Sequence, residues 1–269
     1  MFEQPTDFRD ESQALYDLIA PLADADYDRR TRFKNWSIAD VLTHLHMWNW
    51  LADRSLTDEK AFLAFVGDLL KSLGGGETLR SYENRWVAPL QGRALLDAWR
   101  TQFLQLAEHY SGADPKARVK WVGPEMSVRS SVTARLMETW AHGQAVYDLL
   151  GVERVDTDRI RNIAVLGVNT FGWTFTTHGQ PLPAVVPHVR LTAPSGAVWT
   201  WNEPSESELV EGSATEFCQV VTQVRNVADT RLKVAGDAAR RWMSIAQCFA
   251  GPPEVPPAPG ARFREPAGG

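Results

Sequence analysis

Glu138 and His142 stand four residues apart in the stretch Met137-Glu138-Thr139-Trp140-Ala141-His142-Gly143. In a helix, roughly 100° of rotation per residue leaves them about 40° apart on one face, so a carboxylate oxygen and an imidazole nitrogen can reach one ion. Ala134, Ala145 and Leu149 fall near the same face with Val146 at its flank, and the pair is therefore expected to point toward the interior. A buried ionised carboxylate is costly unless it is paired or bound to a metal. Oxygen and nitrogen donors suit zinc, nickel, iron or manganese, and an i, i+4 pair needs a further ligand from another helix. Taken alone, the pair also fits a buried Glu–His hydrogen bond, or Glu138 paired with Arg135.

A further ligand is sought in Asp40-Val41-Leu42-Thr43-His44-Leu45-His46, which offers two histidines. Periodicity leaves both open, since each borders the apolar stripe of Ile38, Val41, Leu42 and Leu45. His44 lies slightly nearer that stripe and shares a side with Val41 and Trp48. Asp40, one turn before His44, and His46 are the available acid or base candidates. Asp40 equally fits a helix cap, as the partner of Ser37 in a capping box.

The elements that must position these groups read as helices over about the first 175 residues, and a helix bundle is the simplest arrangement. Expected helices run from about Asp7 to Ala23, from Ser37 through Trp48, from Glu59 to Leu73, from Gln91 to Tyr110, from Val132 to Leu150 and from Asp158 to Phe175. Gly74-Gly75-Gly76 stops the third and has no phosphate-loop spacing. Trp121 to Met126 reads as a structured loop. The Pro-rich stretch from Gln180 to Pro187 is the expected boundary, after which Val189–Thr192 and Val198–Trp201 read as a hairpin around Pro194-Ser195-Gly196. Helices follow at Ala214 to Val224, with Ser213 and Glu216 as a capping box, and at Ala238 to Ala250, capped by Asp237. The organisation expected is therefore a helix bundle over 1–179, a small α/β domain over 180–250 and a mobile Pro/Gly-rich tail over 251–269.

With 269 residues, the chain is long enough to bury a real core. A formal net charge of −5 gives no electrostatic reason to expect nucleic acid or anionic lipid as a partner. The acidic N-terminal MFEQPTDFRDES lacks the layout of a secretory signal, and no apolar run is long enough to cross a bilayer, so the cytoplasm is the expected location. Cys218 and Cys248 lack the short paired spacing of a zinc or redox motif and read as buried free thiols. Eleven tryptophans are the unusual count and hint at a roomy apolar site.

The run Trp36-Ser37-Ile38-Ala39-Asp40-Val41-Leu42-Thr43-His44-Leu45, followed by a distant Glu138-x-x-x-His142, resembles the mycothiol-dependent maleylpyruvate isomerase family and its DinB-like metal-binding relatives. Stretches such as Ala134 to Gly143 and Ala246-Gln247-x-Phe249-Ala250-Gly251-Pro252-Pro253 are similar to a subgroup of which some members carry the label wyosine base formation. The net acidity and the lack of a cysteine cluster do not suggest radical chemistry on tRNA. The resemblance implies a mainly α fold, a DinB-like four-helix bundle with a smaller C-terminal α/β, sterol-carrier-like domain. It further implies a divalent metal, zinc ahead of nickel, iron and manganese, held by His44, Glu138 and His142. The activity implied is that of an isomerase or transferase using mycothiol or another small thiol on a small electrophilic substrate, in a monomer or homodimer. Arg225, in Val221-Thr222-Gln223-Val224-Arg225-Asn226, is the nearest match to the family's substrate-holding arginine, with Arg190 as its rival. A metal-dependent hydrolase and a non-catalytic metal or small-ligand binder are the other function classes these residues fit.

Overall fold

The computed structural model describes residues 2–266 and is mainly helical, with a small mixed sheet late in the chain. Four long helices form a bundle: α1 (Gln4–Ile19), α2 (Ile38–Thr57), α5 (Gly92–Gly112) and α6 (Val128–Leu149). Two shorter ones, α3 (Glu59–Gly74) and α4 (Leu79–Val87), pack on α2. The apolar stripes read from the sequence are what the bundle buries: Phe8, Leu15 and Ile19 on α1, Val41, Leu42 and Leu45 on α2, and Leu95, Leu96, Trp99, Phe103 and Leu106 on α5. Each such side chain contributes roughly 1.5–3 kcal/mol by leaving water. Among the described residues no helix is long and apolar enough to cross a membrane.

Local rules account for the start of both helices that carry the candidate ligands. Ser37 accepts from Asp40 N at 3.0 Å while Asp40 Oδ2 accepts from Ser37 N at 2.8 Å, the capping box expected from the sequence. Ser127 Oγ accepts from Ser130 N at 3.1 Å at the head of α6. A two-stranded ladder, β1 (Arg118–Val119) against β2 (Met126–Ser127), closes the loop that leads into α6 and so supplies the structure expected around Trp121. Along α6, Gly143 faces Leu15 of α1 so closely that an added Cβ would meet Leu15 Cδ2 at 3.3 Å.

Two compact units divide within α6, one ending at Val146 and the other beginning at Tyr147, whereas the sequence placed the boundary in the Pro-rich stretch after residue 179. The difference arises because α7 (Arg161–Asn169) and α8 (Phe171–Thr177) belong by their contacts to the second unit, where α7 packs on α9 (Ala214–Val221) and α8 on α10 (Asp237–Ile245). The single helix expected over Asp158–Phe175 is broken at Thr170, whose hydroxyl turns back to the carbonyls of Leu166 and Gly167.

The second unit is α/β. Its four-stranded sheet has the order β4 (Val198–Trp201), β3 (His188–Thr192), β5 (Leu209–Ser213), β6 (Lys233–Ala235). The β3/β4 hairpin is antiparallel with Val189 opposite Trp201, β3 and β5 are parallel with Leu191 opposite Gly212, and β5 and β6 are antiparallel. Ser213 makes no side-chain cap to α9, and α10 is capped by Gly236 and by Glu208, whose carboxylate oxygens accept from Ala238 N and Ala239 N, rather than by Asp237. Residues 251–266 form no helix or strand but are tied down by hydrogen bonds, including Asn226 Nδ2 to Pro257 O at 2.8 Å and Gly260 N to Asp229 Oδ1 at 2.8 Å. The remainder of the expected tail, 267–269, lies outside the described residues.

Candidate metal centre

His44, Glu138 and His142 converge, each offering one ligand atom within 4.8 Å of the others. Glu138 Oε2 lies 3.0 Å from His142 Nε2 and 3.5 Å from His44 Nε2. The two imidazole centroids are 4.6 Å apart. All three side chains keep slight exposure, at 12% for His44, 20% for Glu138 and 13% for His142. The sequence reading that this face of α6 turns inward is therefore met only in part. Ala134, Glu138, His142 and Ala145 keep some exposure, while Leu136, Met137, Trp140 and Val146 around them are buried. Two imidazoles and one carboxylate are the donor set of a catalytic rather than a structural metal site.

Support comes from an element the sequence reading passed over. Glu83 on α4 is fully buried, and its Oε1 accepts from His44 Nδ1 at 2.7 Å and from Trp48 Nε1 at 3.1 Å. That bond places a proton on His44 Nδ1 and turns Nε2 toward Glu138. Arg80 backs Glu83 at 3.1 Å and lies over the Trp36 ring. His142 is held differently: its Nδ1 is buried and has no hydrogen-bond partner among the described residues. Trp36 instead stacks on its ring at 5.4 Å and 9° between planes, and Phe33 meets its edge at 5.0 Å. Both aromatics belong to the loop before α2, closed by Thr31 N to Trp36 O at 2.7 Å and turned by Lys34 and Asn35 at positive φ. A lysine in the left-handed region is strained, and the strain is stored where the loop sets a wall of the site.

Electrostatics keep the three groups in distinct states. Burial pushes the His44 pKa down, but the charge of Glu83 and the hydrogen bonds to Glu138 and Glu83 overcome it and hold it above the ordinary histidine value. Burial together with the neighbouring His44 lowers the His142 pKa despite its bond to Glu138. Burial alone would raise Glu138, yet its bonds to His142 and His44 and the charges of His142 and Arg135 hold it well below the usual carboxylate range. Glu138 is thus ionised and shared between the histidines. The alternative ion pair with Arg135 does not form: Arg135 makes no hydrogen bond or ion pair among the described residues, and its guanidinium lies 5.2 Å from the Trp121 ring.

The other candidates stand elsewhere. His46 packs against Trp86 at 5.3 Å, away from the cluster, and burial pulls its pKa to about 4, so it is a neutral core residue near pH 7. Asp40 is occupied by its cap and by Arg30 at 3.1 Å, which leaves it no free role as a base. In the second unit, Arg225 Nη2 donates to Asp148 Oδ1 at 2.7 Å, with both side chains almost buried. Arg190 pairs with Glu211 at 2.7 Å. Cys218 and Cys248 are buried thiols outside any disulfide, as expected.

Glu83 had a signal. After the Thr78 cap, Leu79, Tyr82, Trp86 and Val87 repeat at helical spacing, and Glu83 sits within that stripe, where a lone carboxylate demands a partner.

Comparisons with known proteins agree with this architecture. Residues 8–147 match the family model described as the mycothiol maleylpyruvate isomerase N-terminal domain. Two uncharacterised proteins of Mycobacterium tuberculosis, from strains CDC 1551 and H37Rv, are each 38% identical over 247 residues, covering 92% of this chain and 95% of the relative. The crystal structure of the mycothiol-dependent maleylpyruvate isomerase superposes with a TM-score of 0.50 at 15% identity, over 81% of this chain and 87% of that one, as does a histidine-to-alanine variant of it. At that identity the likeness speaks for the fold.

Proposed function

Because the chain belongs to the mycothiol maleylpyruvate isomerase family, we propose that it is a metal-dependent enzyme using a small thiol, mycothiol or an analogue, for isomerisation or sulfur transfer on a small electrophile. The observation that carries this reading is the convergence of His44, Glu138 and His142, with Glu83 orienting His44. These three residues would hold the cation, zinc ahead of nickel, iron and manganese. When bound, it supplies the Lewis acidity that lets a thiol ionise at neutral pH.

The chain's own residues do the positioning. Glu83 orients His44 through Nδ1, Trp36 and Phe33 clamp the ring of His142, and Trp48 sets an aromatic ring beside His44 and in contact with Trp121. Arg225 stays in the proposal as a substrate-binding arginine on family resemblance alone, since Asp148 already occupies its guanidinium.

Purified protein is expected to carry about one divalent ion per chain, and His142→Ala to lose most of it. Elemental analysis giving full occupancy in that variant would sink the site, and metal loss confined to His46→Ala rather than His44→Ala would reassign the third ligand. A cobalt-substituted sample titrated with mycothiol or another small thiol should develop a sulfur-to-metal charge-transfer band. Absence of a band with any thiol would favour hydrolysis or passive binding.

A further inference from the structure

Arg135 lies three residues before Glu138 on α6, about 60° around the helix from it. It is 5% exposed, and its Nη1 is buried without a hydrogen-bond partner. A guanidinium withheld from water costs several kcal/mol, whereas lying against one indole returns roughly 0.5–2 kcal/mol. The nearest carboxylate by helix spacing, Glu138, is committed to His142 and His44. Tyr110, which senses the Arg135 charge, has its hydroxyl hydrogen-bonded to Ser131 Oγ at 2.7 Å. Burial of this cation is therefore offset within the protein only through space, by the charge of Glu138 and the face of Trp121, while its buried Nη1 has no acceptor among the described residues.

Its surroundings say where compensation would come from. Trp121, which carries the guanidinium on its face, meets Trp48 at 5.7 Å, and Trp48 meets the His44 ring at 6.0 Å. Arg135 thus stands on the aromatic wall that ends at the candidate ligands. Charge points the same way. The carboxylates of Glu138 and Glu83 are balanced by the guanidiniums of Arg135 and Arg80, so any divalent cation would leave the site doubly positive.

We infer that Arg135 is an anion-binding, specificity-determining residue of this site, and that the small molecule accepted there carries a carboxylate which takes the guanidinium fork while its reactive end faces the His44, Glu138 and His142 cluster. The planar fork suits a carboxylate better than a point charge does. This deepens the proposed function and rests on it for the place of the reacting end, but the anion contact itself does not require the metal.

The test compares wild type, Arg135→Met and Arg135→Lys, each with its metal content measured, using succinate and the neutral succinamide as probes at fixed ionic strength. Wild type should prefer succinate, and Arg135→Met should lose about tenfold or more of that affinity while keeping its metal. Arg135→Lys should fall between. In the absence of any probe, Arg135→Met should melt at or above the wild-type temperature, because it removes a buried guanidinium that no hydrogen bond or ion pair satisfies. Equal succinate affinity in wild type and Arg135→Met overturns the inference. So does an Arg135→Met chain that fails to fold or melts several degrees lower, since that marks a structural guanidinium. Should the protein hold no metal while succinate discrimination still depends on Arg135, the metal reading falls and this one stands.

Discussion

A fully buried carboxylate, Glu83, orients one imidazole of the cluster. Glu83 touches His44 only at Nδ1, yet that bond decides where the other nitrogen of the ring points. Glu83→Gln should therefore keep the fold but lower affinity for a divalent ion by about 10–100-fold in competition with a chelating dye, and unchanged affinity would remove Glu83 from the site's support. The i, i+4 spacing of Glu138 and His142 was legible because both reside on one long helix. The third position was not, since His44 and His46 border the stripe of α2 almost symmetrically and only the packing of α4 separates them. His46 meets Trp86 of α4 while His44 meets its Glu83. Arg135 was legible as a neighbour of Glu138, and pairing between them stayed an open alternative, because helix spacing gives proximity and says nothing about which partners Glu138 prefers.

At the scale of elements, the start of α10 shows how a cap escapes the sequence. Asp237 occupies the position that local rules favour, but Gly236 at φ 89° turns the chain so that Glu208, distant in sequence, supplies the acceptors. Any Cβ at 236 would collide with Ser207 O and the Glu208 carboxyl, on top of the left-handed backbone. Gly236→Ala is accordingly expected to destabilise the second unit by about 3 kcal/mol or more, measured by denaturant unfolding; a change within experimental error would mean that the turn relaxes freely. The bundle helices and the β3/β4 hairpin were readable because their signals are periodic and local. The strands β5 and β6 were not, being short and paired to β3 and to each other across long connections.

For the whole molecule, the boundary expected from the sequence lies where proline accumulates, whereas the two compact units divide within the span of α6. Stability of the first unit should carry an alkaline limit. Burial raises the pKa of Tyr110 to about 12, against the effect of Ser131, and burial with the bond to Asp68 raises Tyr82 to about 12. A phenol harder to ionise when folded stabilises fully below pH 10 and loses that contribution as pH rises toward 12, at most about 3 kcal/mol for Tyr110. In a spectrophotometric titration these two of the five tyrosines should ionise last, and all five should titrate together once the chain is unfolded. Simultaneous ionisation near pH 10 in the folded protein would contradict their burial. A different consequence follows from Trp36, whose indole lies flat on the His142 imidazole. Were His142 to take up the proposed cation, a fluorophore in face contact with its ring would register the event in its own emission, so a metal titration followed by tryptophan fluorescence reads the centre without a substrate.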